Sequence, residues 1–184
     1  SPGDAIDAGI GMVHQHFMLA DNLTVLENVV LGSEPRGRLG RLDFDTARRR
    51  IKEQSDAYGL DVDSDALVEE LGVGDRQRVE ILKVLYRGAQ ILILDEPTAV
   101  LVPQEVDELF DNLRELKSEG LTVIFISHKL DEVLAVADEI TVIRRGTTVS
   151  TVLPGDVTAR DLAELMVGSE LPTPETREST VTDR

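Results

Sequence analysis

Asp95 and Glu96 stand side by side in ILILDEPTAV, residues 91–100, directly after four apolar residues. Two adjacent carboxylates ending a buried strand carry a desolvation cost and repel each other. A cation offsets both effects. Asp95 could hold Mg2+ through a water, and Glu96 could orient and deprotonate another water for attack on a phosphoryl group. Two more polar side chains follow apolar stretches: Gln15 after the run beginning at Ile10, and His128 after LTVIFIS. His128 could hold a terminal phosphate, and Gln15 could sense the metal and the water. Each residue alone has a blander reading. Strand ends often carry solvated charge, a histidine after a strand is commonly structural, and a lone glutamine says almost nothing. It is the joint placement that points to phosphoryl chemistry.

That placement requires parallel strands whose carboxyl ends lie together, because open α/β sheets bind ligands outside that edge. The patterning predicts them. A short helix, a glycine and a strand over 10–14 open the chain. Thr24 and Glu27 have capping-box spacing before an apolar run. Residues 33–43 read as a loop, 45–58 as a basic helix stopped by Gly59, and 64–70 as a second short helix. A helix starting at the glycines near 72 shows a broad apolar face through Val79, Leu82, Val84, Leu85 and Tyr86. A buried strand follows over 90–95. Pro103 suits a helix first turn, and Val106, Leu109, Phe110, Leu113 and Leu116 recur at helical spacing up to Gly120. LTVIFIS reads as another buried strand, which completes a parallel βαβ unit. A helix over 130–137, two strands joined at RRG, a helix over 159–167 and a polar tail complete the reading.

Composition narrows the class. The 184 residues are 41% hydrophobic but only 3% aromatic, so aliphatic side chains must build the core. No cysteine is present, which removes disulfides and thiolate chemistry. The formal charge is −16, from 35 acids against 19 bases. Such a surface repels nucleic acid and anionic lipid, so no nucleic-acid partner is expected. Acid excess spread along the whole chain suits a high-salt cytoplasm, and it suits simple solubility equally. No apolar run approaches the ~20 residues of a membrane span, so any membrane association is expected to go through a partner.

The motifs in combination resemble a known family. ILILDEPTA, preceded by QRVEILKVLYRGA and followed by VIFISHKLDEV, closely resembles the ATP-binding subunit of ABC transporters. GIGMVHQHFML resembles the region around the conserved glutamine of simple-sugar importers, and the HQHF form leans toward nucleoside importers. The resemblance covers residues 1 to about 168. It implies an α/β fold with a P-loop NTPase-like parallel sheet, an inserted α-helical subdomain and an N-terminal truncation. Residues 1–19 and 87–168 would form a partial RecA-like ATPase core, 20–86 a helical subdomain docking on a membrane permease, and 169–184 a disordered tail or linker. Asp95 would be the Walker B acid binding Mg2+, Glu96 the catalytic base, Gln15 the Q-loop glutamine serving metal and water, and His128 the switch histidine. The signature loop would fall on Leu71–Asp75, with Gly72, Val73 and Gly74 closing over ATP held by the partner half. A helix N-terminus facing an anion is the physical basis of that contact.

The resemblance implies ATP and Mg2+ as cofactors. Its implied partners are permease subunits, a second ATP-binding half (identical or fused) and, indirectly, an extracellular substrate-binding protein. The implied location is the cytoplasmic face of the membrane. Three departures qualify it. No GxxxxGK[ST] loop occurs in the 184 residues, so the chain reads as a fragment expected to bind ATP weakly or not at all alone. Gly72 replaces the family's usual serine, and Asp75 adds a carboxylate near the phosphate position. Val102 stands where most members carry an aspartate, a substitution shared by the sugar and nucleoside branch. The alternative kept open is a degenerate, non-hydrolysing module that only binds the permease or another subunit.

Overall fold

The computed structural model describes residues 1–35 and 43–168. The tail 169–184, and most of the loop expected over 33–43, lie outside the described residues. The chain divides into two compact units, Ser1–His128 and Lys129–Arg184.

The first unit is built on three parallel strands, β1 (Ile10–Val13), β2 (Ile91–Asp95) and β3 (Thr122–Ile126), with β2 central. Val13 pairs with Leu94, and Asp95 with Ile126, so the three carboxyl ends form one edge. Its helices are α1 (Pro2–Asp7), α2 (Val25–Val30), α3 (Phe44–Ala57), α4 (Val73–Tyr86) and α5 (Pro103–Ser118). Two of these cover one sheet face. A Cβ at Gly11 would lie 1.9 Å from Val84 Cγ1, so α4 rests almost on the β1 backbone. Phe110 of α5 meets Phe125 of β3 edge-on, with ring centroids 6.0 Å apart. Leu92 and Leu94, fully buried, fill the middle of that face.

The local signals explain most boundaries. Thr24 and Glu27 form the expected capping box on α2: the Glu27 N–H donates to Thr24 Oγ1, and the Thr24 N–H donates to Glu27. Pro103 occupies the first turn of α5, and Gly120 leaves it in the left-handed region at φ 91°. On the far side of α4, Arg50 of α3 stacks over Tyr86 at 4.4 Å.

Two expectations fail. Residues 64–70 are not a helix; only Val68–Glu70 makes a 3-10 turn. Their backbone is already committed elsewhere, since Val25 N–H donates to Ala66, Leu26 N–H to Ser64, and Val68 N–H to Leu23. Nor is β3 a buried strand. Its residues alternate between exposed and half-buried, with Ile124 and Ile126 46% and 45% exposed. Both share the sheet face that α4 and α5 leave uncovered.

The second unit contains α6 (Leu130–Val136), the antiparallel pair β4 (Ile140–Arg144) and β5 (Thr147–Val152), and α7 (Ala159–Val167). The turn between the strands holds Arg145 at φ 51° and Gly146 at φ 77°, the left-handed pair that a two-residue hairpin prefers. Ile140, Val142 and Leu162 form its core.

Candidate functional site

β2 ends at Asp95, and the chain then turns sharply. Glu96 takes φ 48°, a left-handed conformation that is costly for a side chain larger than glycine's. Its N–H still donates to Ile126 O at 2.9 Å, and its carbonyl accepts from the Ala99 N–H at 3.1 Å. The strand is thus stitched to β3 for one residue beyond its end while the backbone reverses through Pro97. This turn holds the two carboxylates at the edge.

His128 lies two residues beyond Ile126, the partner of Asp95. Its Nδ1 is 2.8 Å from Glu96 Oε1. A carboxylate only accepts, so the hydrogen bond requires the proton on Nδ1 and leaves Nε2 outward on a ring that is largely exposed. Glu96 itself is well covered, and its second oxygen, Oε2, is buried without a hydrogen-bond partner. One oxygen is therefore anchored, and the other is an acceptor without a partner. Gln15 lies two residues past Val13, which pairs with Leu94, and is exposed. The edge therefore brings together Asp95, Glu96 and His128, with Gln15 at the end of the neighbouring strand.

No group of three or more acidic or histidine side chains among the described residues forms a metal cluster. Mg2+ keeps waters and substrate phosphates in its shell and takes one or two carboxylates from the protein. Asp95, the carboxylate that ends β2, fits that demand.

Gly72, Val73 and Gly74 sit elsewhere in the first unit, at the N-terminus of α4. Gly72 is the N-cap and supplies no side-chain hydrogen bond. Asp75 is held by Arg78 at 2.7 Å, and Arg78 reaches Glu108 at 3.1 Å as well. Burial works against the Arg78 charge, but the two carboxylates raise its pKa above the ordinary arginine value. The extra acid at position 75 is thereby neutralised within the helix.

Sequence reasoning missed the groups that hold these loops. Glu80, 5% exposed, accepts the Met18 N–H at 2.5 Å, and Lys83 donates to Met18 O at 3.0 Å. α4 thus clamps the segment after Gln15. The charge of Glu80 among apolar helix positions is visible in the sequence, but nothing there names its partner.

A family described as ABC transporter matches residues 3–99, more than half of the chain. The chain belongs to the ABC transporter family. Over 168 residues it is 58% identical to the nucleoside import ATP-binding protein NupA of Lactococcus lactis subsp. cremoris, covering 91% of this chain and 33% of that protein. It is 54% identical to the glucose import ATP-binding protein TsgD13 of Haloferax volcanii, covering 93% and 36%. It is 50% identical to the guanosine import ATP-binding protein NupO of Bacillus subtilis, covering 93% and 33%. The chain thus spans about a third of the length of these relatives. Among solved structures, cbiO1 of Clostridium perfringens, part of the ABC transporter complex cbiONQ, matches with a TM-score of 0.70 at 29% identity, covering 85% of this chain and 62% of that one. The ADP conformation of the ABC cassette MJ1267 matches at 0.70 and 23% identity, covering 89% and 66%, a likeness of fold. This ABC chain is accordingly α/β, with a parallel sheet of the cassette kind. No helix among its described residues is long and apolar enough to cross a membrane.

Proposed function

We propose that the chain is part of an ATP-binding, ATP-hydrolysing subunit of an ABC importer that energises uptake of a nucleoside or simple sugar through a membrane permease. The observation that carries this is the Glu96–His128 pair, 2.8 Å apart beside Asp95 at the carboxyl edge of a parallel sheet. Bound Mg2+ would neutralise phosphate charge and polarise the bond to be broken. Asp95 would hold that ion. Glu96, fixed by His128 on one oxygen, would take the proton of the attacking water. His128, protonated on both ring nitrogens, would donate Nε2–H to the terminal phosphate, and Gln15 would serve both the metal and the water. Gly72, Val73 and Gly74 present backbone N–H groups to ATP held by a second ATP-binding half.

The partners follow from this reading: permease subunits against the helical segment 20–86, a second half, and indirectly an extracellular substrate-binding protein. The subunit works peripherally, at the cytoplasmic face of the membrane. Identity to nucleoside and sugar import proteins supports the substrate class. The bare Gly72 N-cap favours a second reading, a non-hydrolysing module that only binds the permease or a subunit.

Turnover by the native full-length protein separates the two. Under the first reading Glu96→Gln lowers kcat by about 10²–10⁴-fold, the range for losing a general base, with ATP binding nearly intact. Unchanged turnover removes Glu96 from the role, and a wild-type protein that binds its partners without hydrolysis establishes the second reading.

A further inference from the structure

We propose that Glu105 is a positioning residue that caps α4 from outside the helix and so ties the Gly72–Gly74 loop to α5, the helix that follows the Asp95–Glu96 turn. The first N–H groups of a helix have no partner within it and call for an acceptor at the N-cap. In α4 that position is Gly72, which offers none. Asp75, the acid in the first turn, is bound to Arg78. The acceptor comes from another helix. Glu105 Oε1 accepts the Gly74 N–H at 3.1 Å, while Glu105 Oε2 accepts the Val102 N–H at 3.0 Å.

One carboxylate therefore spans two backbones, one at the start of each helix. The second hydrogen bond is half of a capping box, the half that Val102 can take part in, because valine has no side-chain oxygen. A carboxylate also suits the positive end of the α4 dipole. Gly74 is what admits it: a Cβ there would lie 3.0 Å from Glu105 Oε1 and 3.3 Å from its Cγ. Glu105 is half-buried along the cleft between the helices, beside Gln77, Arg78 and Asn112.

The link gives Glu105 a task that an ordinary cap lacks. The turn carrying Asp95 and Glu96 runs directly into Val102 and α5, and Gly72–Gly74 faces the second nucleotide. A carboxylate joining them makes movement of one loop pull on the other. This consequence rests on the ATPase reading, whereas the capping itself does not.

Gly72→Ser separates cap from tether. Gly72 has φ −64° and ψ 168°, the extended conformation of an N-cap, and its added Cβ would have no neighbour closer than Asp75 Oδ2 at 3.6 Å. A serine there can cap α4 without restoring the link to α5. The experiment measures amide hydrogen exchange over 72–78, and steady-state ATPase kinetics, in the native full-length protein with its partner subunits. Wild type, Glu105→Ala, Gly72→Ser and the double variant are compared. Glu105→Ala is expected to speed exchange at Gly74 about fivefold, the equivalent of one lost cap, and to lower kcat severalfold with KM for ATP little changed. The double variant recovers protection at Gly74 while its kcat stays severalfold below that of Gly72→Ser. Unchanged exchange in Glu105→Ala overturns the cap. Recovery of protection with a kcat equal to that of Gly72→Ser in the double variant overturns the tether, leaving Glu105 a cap and nothing more. A wild-type protein without turnover defeats the ATPase reading instead, and the exchange result still decides the cap.

Discussion

A methyl group on Gly11 would lie 1.9 Å from Val84 Cγ1 and 3.1 Å from Ala89 Cβ, a separation that only glycine permits between β1 and α4. Gly11→Ala is therefore expected to destabilise the chain by about 1–3 kcal/mol, the usual cost of overpacking. Val84→Ala in the same chain should recover part of that loss. Chemical denaturation checks both, and an unaffected midpoint in Gly11→Ala would show that α4 can move away freely. The same scale separates what the sequence displayed from what it concealed. Asp95, Glu96 and His128 were visible because each follows an apolar run, and strands put such residues at one edge. Glu80 and Glu105 were not. Their partners are the backbone N–H groups of Met18 and Gly74, 62 and 31 residues away, and a backbone donor leaves no mark in the sequence.

Among the elements, helices with a capping signal were read best. Thr158 and Asp161 form a reciprocal box at the start of α7, with the Thr158 hydroxyl and N–H both donating to the carboxylate at 2.7 Å. The hydroxyl first, and the N–H after it, hold Asp161 below the ordinary aspartate value of 3.8. A lowered carboxylate stabilises the native state in full above its unfolded pKa and loses that contribution as pH falls through the native one. The α7 cap should accordingly be unaffected from neutral pH down to about 3.8 and fade below it. Amide exchange over 158–162 along an acid titration, against Asp161→Ala, measures this; identical acid profiles would deny the box any part. The two misread runs carry no such signal. The run 64–70 has helix-like spacing, yet its carbonyls and N–H groups serve Leu23–Leu26. The apolar run in β3 looked buried, but only one face of the sheet is covered.

For the molecule as a whole, the largest single quantity is the charge of −16. Self-repulsion of that size destabilises a compact state and is screened by salt, the Debye length falling from about 10 Å at 0.1 M to about 3 Å at 1 M. Its exposed ion pairs, such as Lys52–Asp56 and Arg114–Asp111, are worth little individually and weaken with salt. The chain is expected to melt higher in 1 M than in 0.1 M NaCl; a lower melting temperature would mean that attractive pairs outweigh the acid excess. By itself the sequence determined the element order, the strand ends bearing Asp95, Glu96 and His128, and the family, because apolar periodicity and contiguous motifs are local properties. Only the tertiary structure decided that Glu96 is held by His128 on one oxygen and left unpartnered on the other. It alone also decided that Glu80 ties the Met18 segment to α4, that Glu105 joins the start of α4 to α5, and that one sheet face stays open. These depend on which backbone groups meet across the fold, and a chain acquires such meetings only when its helices settle on the sheet.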